Sequence, residues 1–334
     1  MARSKDQTQK LKLGEFNLIA EYFAPLATAP GALELLDDGA VLTIHPDQEL
    51  ITTTDMLISG VHFLENAEPE EIATRLLAVN VSDLAAMGAT PMGYLLVTAL
   101  TAEQDNDWLS RFAQRLEKDQ IRFGMVLYGG DTVATPGPLS LTLTAFGTVP
   151  KGQALKRSSA TIGDQVYVSG TLGDSALGLM ALREELPIID AAHRDFLINR
   201  FQAPQPRVNL GQSLREIARG VADISDGFVA DLNHICEASQ VGAKVFADDL
   251  PLSDAAKALI ALEPSYLGTI LTGGDDYELV FTAPSESQAQ IDQLSTSLDV
   301  KLSRIGVITE GKEISIFDSN QKIMSLGTMG YKHF

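Results

Sequence analysis

The chain has 334 residues and a net charge of -19, from 44 acidic and 25 basic side chains. This charge argues against nucleic acid and anionic membranes as partners, because both attract basic side chains. The length is typical of about two domains. The single cysteine, Cys236, cannot form an intrachain disulfide, the polar start is unlike a signal peptide, and no apolar run is long enough to cross a membrane. We therefore expect a cytoplasmic protein without a membrane partner.

Hydrophobic spacing predicts the elements of the first half of the chain. Helices are expected at 14–25, 69–88 and 106–123. Strands are expected at 49–58, 92–100, 124–131 and 139–149, and the third of them ends in a Gly-Gly turn before Asp131.

A polar stretch over residues 150–164 predicts a domain boundary. Beyond it, strands are expected at 165–170, 220–225 and 277–284, with two short ones around 303–317. Helices are expected near 174–184, 190–201, 207–219, 226–239 and 285–297. Since each half mixes strands with helices, we expect two domains, over residues 1–150 and 151–334.

Aspartates recur at the ends of the apolar segments. Asp55 ends a β-branched run, and Asp131 and Asp275 each follow a Gly-Gly pair. Such positions line the crevices in which α/β proteins bind ligands. Simpler roles remain open for single positions: Asp226 could cap the following helix, Gly-Gly-Asp could be only a turn, and residues 37–39 could form a hairpin turn.

Asp83 lies in the apolar stretch NVSDLAAMGA, where a buried carboxylate needs a partner. Clustered carboxylates repel each other unless cations lie between them. Oxygen ligands without His or Cys suit Mg²⁺ or Mn²⁺, and Thr53 and Thr54 could add hydroxyl oxygens. Because Mg²⁺ often binds carboxylates together with substrate phosphates, this pattern indicates a nucleotide enzyme.

Common catalytic motifs are missing from the sequence. The nearest approach to a phosphate-binding P-loop, at 306–313, has Glu313 where Ser or Thr would bind Mg²⁺. The chain has no HEXXH, CXXC or G-x-S-x-G motif and no G-x-G-x-x-G after a strand. His62 is either a structural histidine or a ligand contact.

Several segments, in order along nearly the whole chain, carry a family resemblance. They are GEFNLIAEYF, DDGAVL, TTDMLISGVHF, NVSDLAAMGATP, GGDT, SGTLGDSALGL, DISDGFVADLNHI, GGDDYELVFT and GYKHF. Together they resemble the thiamine-monophosphate kinases, of the aminoimidazole-ribonucleotide-synthetase-like superfamily. The resemblance implies transfer of the γ-phosphate of ATP to thiamine monophosphate, the last step of thiamine diphosphate biosynthesis. It also implies several Mg²⁺ ions and a homodimer.

The resemblance further implies an α+β N-terminal domain that binds ATP and Mg²⁺ and dimerises, and an α/β C-terminal domain that completes the ATP and substrate site. In-line transfer assisted by metal needs no general base among the side chains. The implied metal-site residues are Asp38, Thr53, Thr54, Asp55, Asp83, Asp131, Asp223 and Asp226. The implied ATP contacts are Gly130, Asp131, Arg157 and Ser225, and the implied substrate contacts are His62, Asp275 and Tyr331.

The chain departs from the family pattern at three places. Leu35 and Leu36 precede the Asp37-Asp38 pair where the family often has Gly, no Arg follows Thr132, and Asp275 replaces a Glu. The alternatives are a related ATP-dependent synthetase, such as an aminoimidazole ribonucleotide synthetase, and a non-catalytic Mg-nucleotide-binding protein. A selenophosphate synthetase or a hydrogenase-maturation dehydratase would need a cysteine near a terminus, whereas Cys236 lies far from both.

Overall fold

The computed structural model describes residues 14–325 and 330–331. The chain divides into two compact units. The first contains the described residues up to Leu84 together with Thr90–Lys151, and the second contains Ala85–Ala89 and the described residues from Gly152 onward. No helix in the described ranges combines the length and the apolar character that crossing a bilayer requires.

The first unit begins with the short helix α1 (Glu15–Leu18), which continues as a π-helical turn (Ile19–Phe23) and 3-10 turns at Ala24–Leu26 and Pro30–Leu35. The remaining elements are β1 (Gln48–Ile58), α2 (Pro69–Ala86), β2 (Thr90–Leu100), α3 (Asn106–Phe123), β3 (Leu127–Ala134) and β4 (Ser140–Pro150). Helix α2 starts with Pro69 and two glutamates, which suit the first turn of a helix. Asp105 caps α3 by accepting a hydrogen bond from the Trp108 amide.

In the described residues these strands form one sheet in the order β1-β4-β2-β3, in which β2 and β3 are parallel and the other pairs antiparallel. Its two faces differ. One face, here called the covered face, buries Leu141 and Leu143 completely. The other, here called the open face, leaves Leu50, Met56, Val97 and Val133 between 39% and 48% exposed.

The expected position of β3 was wrong. Gly124 takes a left-handed φ of 67° and ends α3, and the Met125 amide bonds back to Gln120, so the strand begins only at Leu127. Gly129, Gly130 and Asp131 are then not a turn but lie within β3, paired with Leu95–Val97 of β2.

The second unit contains β5 (Gln165–Ser169), α4 (Asp174–Leu182), α5 (Ala191–Gln202), α6 (Val208–Ser213), β6 (Val221–Asp223) and α7 (Phe228–Ser239). It continues with β7 (Gly242–Phe246), α8 (Asp254–Leu262), α9 (Tyr266–Thr272), β8 (Leu279–Ala283), α10 (Gln288–Leu298), β9 (Leu302–Thr309) and β10 (Ile314–Phe317). The expected helix at 207–219 is shorter, because it turns into a 3-10 segment at Leu214. The elements between 242 and 272 were not predicted.

The described strands of this unit form a second sheet in the order β10-β7-β9-β5-β8-β6. Its central strands are buried on both faces. Val166, Val168 and Val280 pack in one apolar cluster, whereas Tyr167 and Phe281 stack with 5.2 Å between their ring centroids in another. A sheet enclosed in this way rigidly positions the turns at its strand ends, where the acidic motifs of this half lie.

Candidate functional site

Three of the expected metal residues gather on the covered face of the first sheet. Thr53 and Asp55 alternate along β1 with exposed residues, so their side chains share that face. The Thr53 hydroxyl donates to the Asp83 carboxylate at 2.5 Å, across 30 residues of sequence. Asp83 is half-buried on α2 rather than fully buried, while its neighbours Ser82 and Leu84 are enclosed.

A pocket of about 540 Å³ lies within the first unit. Its lining includes the acids Asp37, Asp38 and Asp131 and the apolar side chains Leu95 and Phe146. A mostly apolar lining with a few polar groups is typical of small-molecule sites. The structure therefore brings Asp38 and Asp131 together at a cavity.

Gly130 also lines this pocket. A Cβ added there would lie 1.7 Å from the carbonyl oxygen of Leu96, so no larger residue fits without moving the backbone of β2. Asp131 is in register with Val97 and so lies on the open face. Thr54 lies on that face too, where its hydroxyl contacts the Thr144 hydroxyl at 3.0 Å and donates to the Leu143 carbonyl at 3.1 Å. The side chains of Thr54 and Asp131 thus lie on the opposite face of the sheet from Thr53 and Asp55.

The segment before Asp37 and Asp38 has an unusual backbone. Leu33, Glu34 and Leu35 have left-handed φ angles of 51°, 55° and 57°. Non-glycine residues adopt this region at a cost of roughly 1–2 kcal/mol each. The segment runs from a 3-10 turn into a bend without flanking strands, so the hairpin alternative for residues 37–39 was wrong.

His62 has a defined hydrogen bond at one ring nitrogen. Its Nδ1 accepts from the Ile58 amide at 3.1 Å, and its carbonyl oxygen accepts from Arg75 Nε at 3.1 Å. Since Nδ1 is an acceptor, the neutral ring carries its proton on Nε2. His62 is therefore suited to donate a hydrogen bond.

In the second unit, two turns bring several expected site residues together: the first turn spans residues 224–227 and the second spans residues 273–277. The amides of Asp275 and Tyr277 bond to the carbonyls of Ser225 and Ile224, both at 2.8 Å. The amide of Tyr331 bonds to the Asp226 carbonyl at 2.9 Å. Asp223 ends β6 immediately before the first turn and is buried. Residues assigned separately to metal, ATP and substrate are therefore neighbours here.

Asp231 shapes the first of these turns, although the sequence analysis did not identify it. Its Oδ2 accepts hydrogen bonds from three consecutive amides, of Ser225, Asp226 and Gly227, at 3.0, 3.0 and 3.2 Å. Burial raises the pKa of the Asp231 carboxyl to about 7, and the charge of Asp226 adds to this rise. Helix α7 begins at Phe228 after Gly227, so Asp226 is not its N-cap. Asp231 lies among apolar residues of a helix, as Asp83 does, so the same sequence signal could have identified it.

Arg157 lies close enough to Asp231 for its positive charge to lower the pKa of that carboxyl, against the larger rise caused by burial. The Arg157 carbonyl accepts a hydrogen bond from Ser239 of α7 at 2.8 Å, which ties the short 3-10 turn at Arg157–Ser159 to that helix. A cation is therefore present beside the turn that carries Ser225 and Asp226.

Asp275 is held in a left-handed conformation, with a φ of 72°. The Tyr277 hydroxyl donates to its Oδ1 at 3.1 Å and so orients the carboxylate. Tyr277 itself has a φ of 51°, and two strained residues this close together are typical of functional turns. The sequence analysis did not identify Tyr277 either.

A buried ion network lies directly after this second turn in the chain. Glu278 is fully buried and binds Arg200 at 3.0 Å and Arg207 through two hydrogen bonds. Ser169 donates to the same carboxylate at 2.6 Å. The preceding Asp276 accepts from the amides of Gly173 and Ser175 at the start of α4, and burial raises its pKa to about 8.

Two family models match the chain. The N-terminal domain of AIR synthase related proteins matches residues 36–149, and the C-terminal domain of the same group matches residues 161–319. The structure of E. coli HypE, a hydrogenase maturation protein 20% identical, has the same fold with a TM-score of 0.79 over 95% of this chain and 98% of its own. The expected two-domain fold of this superfamily is confirmed.

Relatives within that superfamily are more specific. The thiamine-monophosphate kinase of Escherichia coli O157:H7 is 42% identical over 96% of this chain and 98% of its own length. That of Bacillus subtilis is 36% identical over 89% of this chain and 92% of its own. The chain therefore belongs to the thiamine-monophosphate kinase family.

Solved structures lead to the same family. Thiamine-monophosphate kinase from Stenotrophomonas maltophilia is 41% identical, with a TM-score of 0.79 over 84% of this chain and 89% of that one. The structure of AaThiL complexed with AMPPCP and TMP is 29% identical, with a TM-score of 0.77 over 100% of this chain and 99% of that one. The resemblance proposed from the sequence motifs is confirmed.

Proposed function

We propose that the chain transfers the γ-phosphate of ATP to thiamine monophosphate and releases thiamine diphosphate and ADP. The observation that carries the proposal is the turn pair of the second unit, where Ser225, Asp226, Asp275 and Tyr331 meet. A relative that covers the whole chain was solved with AMPPCP and TMP, which supports both ligands.

We propose that Mg²⁺ ions bind to the aspartates of both units. The donor set fits this metal, because it consists of carboxylate and hydroxyl oxygens: Asp38, Thr53, Thr54, Asp55, Asp83, Asp131, Asp223 and Asp226. Mg²⁺ bound there would neutralise phosphate charge. Some of these side chains are oriented by hydrogen bonds within the chain. Thr53 donates to the Asp83 carboxylate, and the amide of Asp226 is one of three that donate to Asp231.

ATP is proposed to contact Gly130, Asp131, Arg157 and Ser225. In the first unit, Gly130 and Asp131 are neighbours in β3 and both line the pocket. In the second unit, Arg157 offers positive charge that suits a phosphate. Each group acts by position and charge, which is what phosphoryl transfer chiefly requires.

Thiamine monophosphate is proposed to contact His62, Asp275 and Tyr331. Its phosphate is mostly ionised at neutral pH, with a second pKa of about 6, so the attacking oxygen needs no strong base. Neutral His62 can donate from Nε2, and Asp275 is oriented by Tyr277 to accept a hydrogen bond or face a positive charge. The side chains thus align the acceptor rather than deprotonate it.

The deciding experiment measures ADP formation from ATP and Mg²⁺, with and without thiamine monophosphate, and identifies the product by mass. We expect ADP and thiamine diphosphate in equal amounts, and no turnover in EDTA. ATP binding without stimulation by thiamine monophosphate would favour the non-catalytic alternative. ATP turnover that requires a different acceptor and is not stimulated by thiamine monophosphate would favour the synthetase.

We also propose that the open face pairs two copies of the chain as a homodimer. Leu50, Met56, Val97 and Val133 are large apolar side chains that remain 39–48% exposed on this one face. A self-complementary sheet face is suited to a twofold interface. The cytoplasmic location expected from the sequence stays a prediction.

A further inference from the structure

A compact group of metal-binding side chains lies at the start of α7. One oxygen of Asp226, one oxygen of Asp231 and a ring nitrogen of His234 all lie within 4.8 Å of one another. His234 follows Asp231 by three residues, so both side chains lie on the same side of the helix. The turn before α7 brings Asp226 to them.

One carboxylate oxygen of Asp231 has no hydrogen-bond partner among the described residues. The side chain is almost completely enclosed, with 1% of its surface exposed. Oδ2 accepts the three turn amides, whereas Oδ1 has no hydrogen-bond partner in the part of the chain that the structure describes. Buried carboxylate oxygens without a partner are unfavourable, so Oδ1 is an atom that a bound cation would satisfy.

We propose that Asp226, Asp231 and His234 bind one zinc ion. Two carboxylates and one imidazole leave a coordination position open, as in zinc sites with three protein ligands. The imidazole is decisive, because Mg²⁺ favours oxygen ligands and keeps several waters, whereas Zn²⁺ binds a ring nitrogen well. Nothing in this set is a thiolate, and the enclosed Cys236 is not part of it.

The geometry requires only a small adjustment. Ligand atoms about 2.1 Å from a tetrahedral zinc ion lie roughly 3.4 Å apart, compared with separations of up to 4.8 Å here. Asp231 is anchored through Oδ2, while Asp226 and His234 are only partly buried. We therefore expect the two outer side chains to close on the ion and Asp231 to stay in place.

Zinc binding at this group would have a consequence for the proposed kinase. Asp226 also belongs to the proposed Mg²⁺ set, so zinc would withdraw it from the nucleotide metals. Zn²⁺ should then inhibit turnover even when Mg²⁺ is in excess. The zinc site itself does not depend on the kinase activity, because its residues and geometry are defined without ATP or acceptor.

The test uses the full chain, freed of metal, without nucleotide and with Mg²⁺ in large excess. Titration with Zn²⁺ in a calorimeter should show one site per chain, and His234→Gln should weaken it by about tenfold or more. His193→Gln is the matched control, because His193 also lies partly buried on a helix but outside the group. Equal zinc affinity in the wild type and His234→Gln would overturn the site, as would an equal loss in His193→Gln.

Two further measurements guard against a folding defect in His234→Gln. Co²⁺ should give visible absorption bands in the wild type that Zn²⁺ removes, and no such bands in His234→Gln. His234→Cys should restore zinc binding, because a thiolate is also a good zinc ligand. Failure of both the cobalt signal and the cysteine rescue would refute the assignment of His234, whether or not the chain proves to be a kinase.

Discussion

The carboxylate of Asp83 receives a hydrogen bond from Thr53 and lies among enclosed side chains of α2. Its charge is therefore oriented before any ligand arrives. The same holds for Asp275, whose carboxylate is positioned by Tyr277. At the scale of single residues, the candidate site depends on acids that neighbouring hydroxyl groups hold in place.

We expect Asp83→Asn to fold normally but to lose activity. Asparagine is nearly isosteric and its carbonyl still accepts from Thr53, but one negative charge disappears from the proposed metal set. Turnover at limiting Mg²⁺ should fall about 10–100-fold, with little change in the melting temperature. The exposed Asp254→Asn serves as a charge control and should match the wild type. Near-normal turnover of Asp83→Asn at limiting Mg²⁺ would show that Asp83 is not a metal ligand.

We expect Tyr277→Phe to raise the KM for thiamine monophosphate about fivefold, the equivalent of about 1 kcal/mol for one hydrogen bond. The KM for ATP should not change, because the lost hydroxyl bonds to Asp275, which is among the proposed thiamine monophosphate contacts and not among the proposed ATP contacts. Tyr167→Phe is the control, since it removes a hydroxyl that bonds Gln288 elsewhere in the same unit. If both variants raise the two KM values alike, Tyr277 has only a structural role.

At the scale of elements, the close approach of two strand backbones explains one of the two adjacent glycines of β3. Gly129 and Gly130 are adjacent in β3, yet only Gly130 faces the backbone of β2 too closely for a side chain. At Gly129 a Cβ would meet nothing nearer than a Leu95 methyl at 3.4 Å. Comparing substitutions at the two positions therefore tests whether glycine is required by the close approach of β2 at Gly130.

Gly130→Ala should destabilise the first unit by about 2 kcal/mol or more, because the new methyl group would push β2 and β3 apart. Gly129→Ala should cost less than about 1 kcal/mol. Urea unfolding of both variants, followed by circular dichroism, measures the difference. Equal stability of the two variants would contradict the close approach at Leu96.

Glu278→Gln should destabilise the second unit by about 3–5 kcal/mol, because it leaves Arg200 and Arg207 with an uncompensated buried charge. The exposed pair Lys257–Asp254 is the comparison, and Lys257→Ala should change stability by less than about 1 kcal/mol. Thermal unfolding of both variants tests this. A loss no larger in Glu278→Gln than in Lys257→Ala would show that the network does not support the unit.

At the scale of the whole molecule, the open face of the first sheet defines the proposed assembly. Leu50→Lys combined with Met56→Lys places two charges on that face and should convert the dimer to a monomer in sedimentation equilibrium. Ile121→Lys is the control, because Ile121 is 71% exposed on the helix α3 and is not part of the sheet. A double variant that still sediments as a dimer would place the interface elsewhere.

Much of the candidate site could be proposed from the sequence because its signals are local. Gly-Gly-Asp-Asp, Asp-Ile-Ser-Asp-Gly and the apolar run around Asp83 each predict an acid beside buried structure from a few residues. Asp231 was missed because its task, accepting three turn amides, exists only once the turn has formed. Tyr277 was missed because its apolar surroundings predict a strand residue, whereas its left-handed backbone turns its hydroxyl to Asp275.

The sequence by itself determined the family, the mixed class of both halves and most element positions, since periodicity and motif order act over short distances. Only the tertiary structure decided which side chains meet. Pairing with β2 drew Gly129–Asp131 into a strand, and thirty residues had to fold back before Thr53 reached Asp83. These outcomes depend on contacts between distant segments, and no local pattern of residues encodes them.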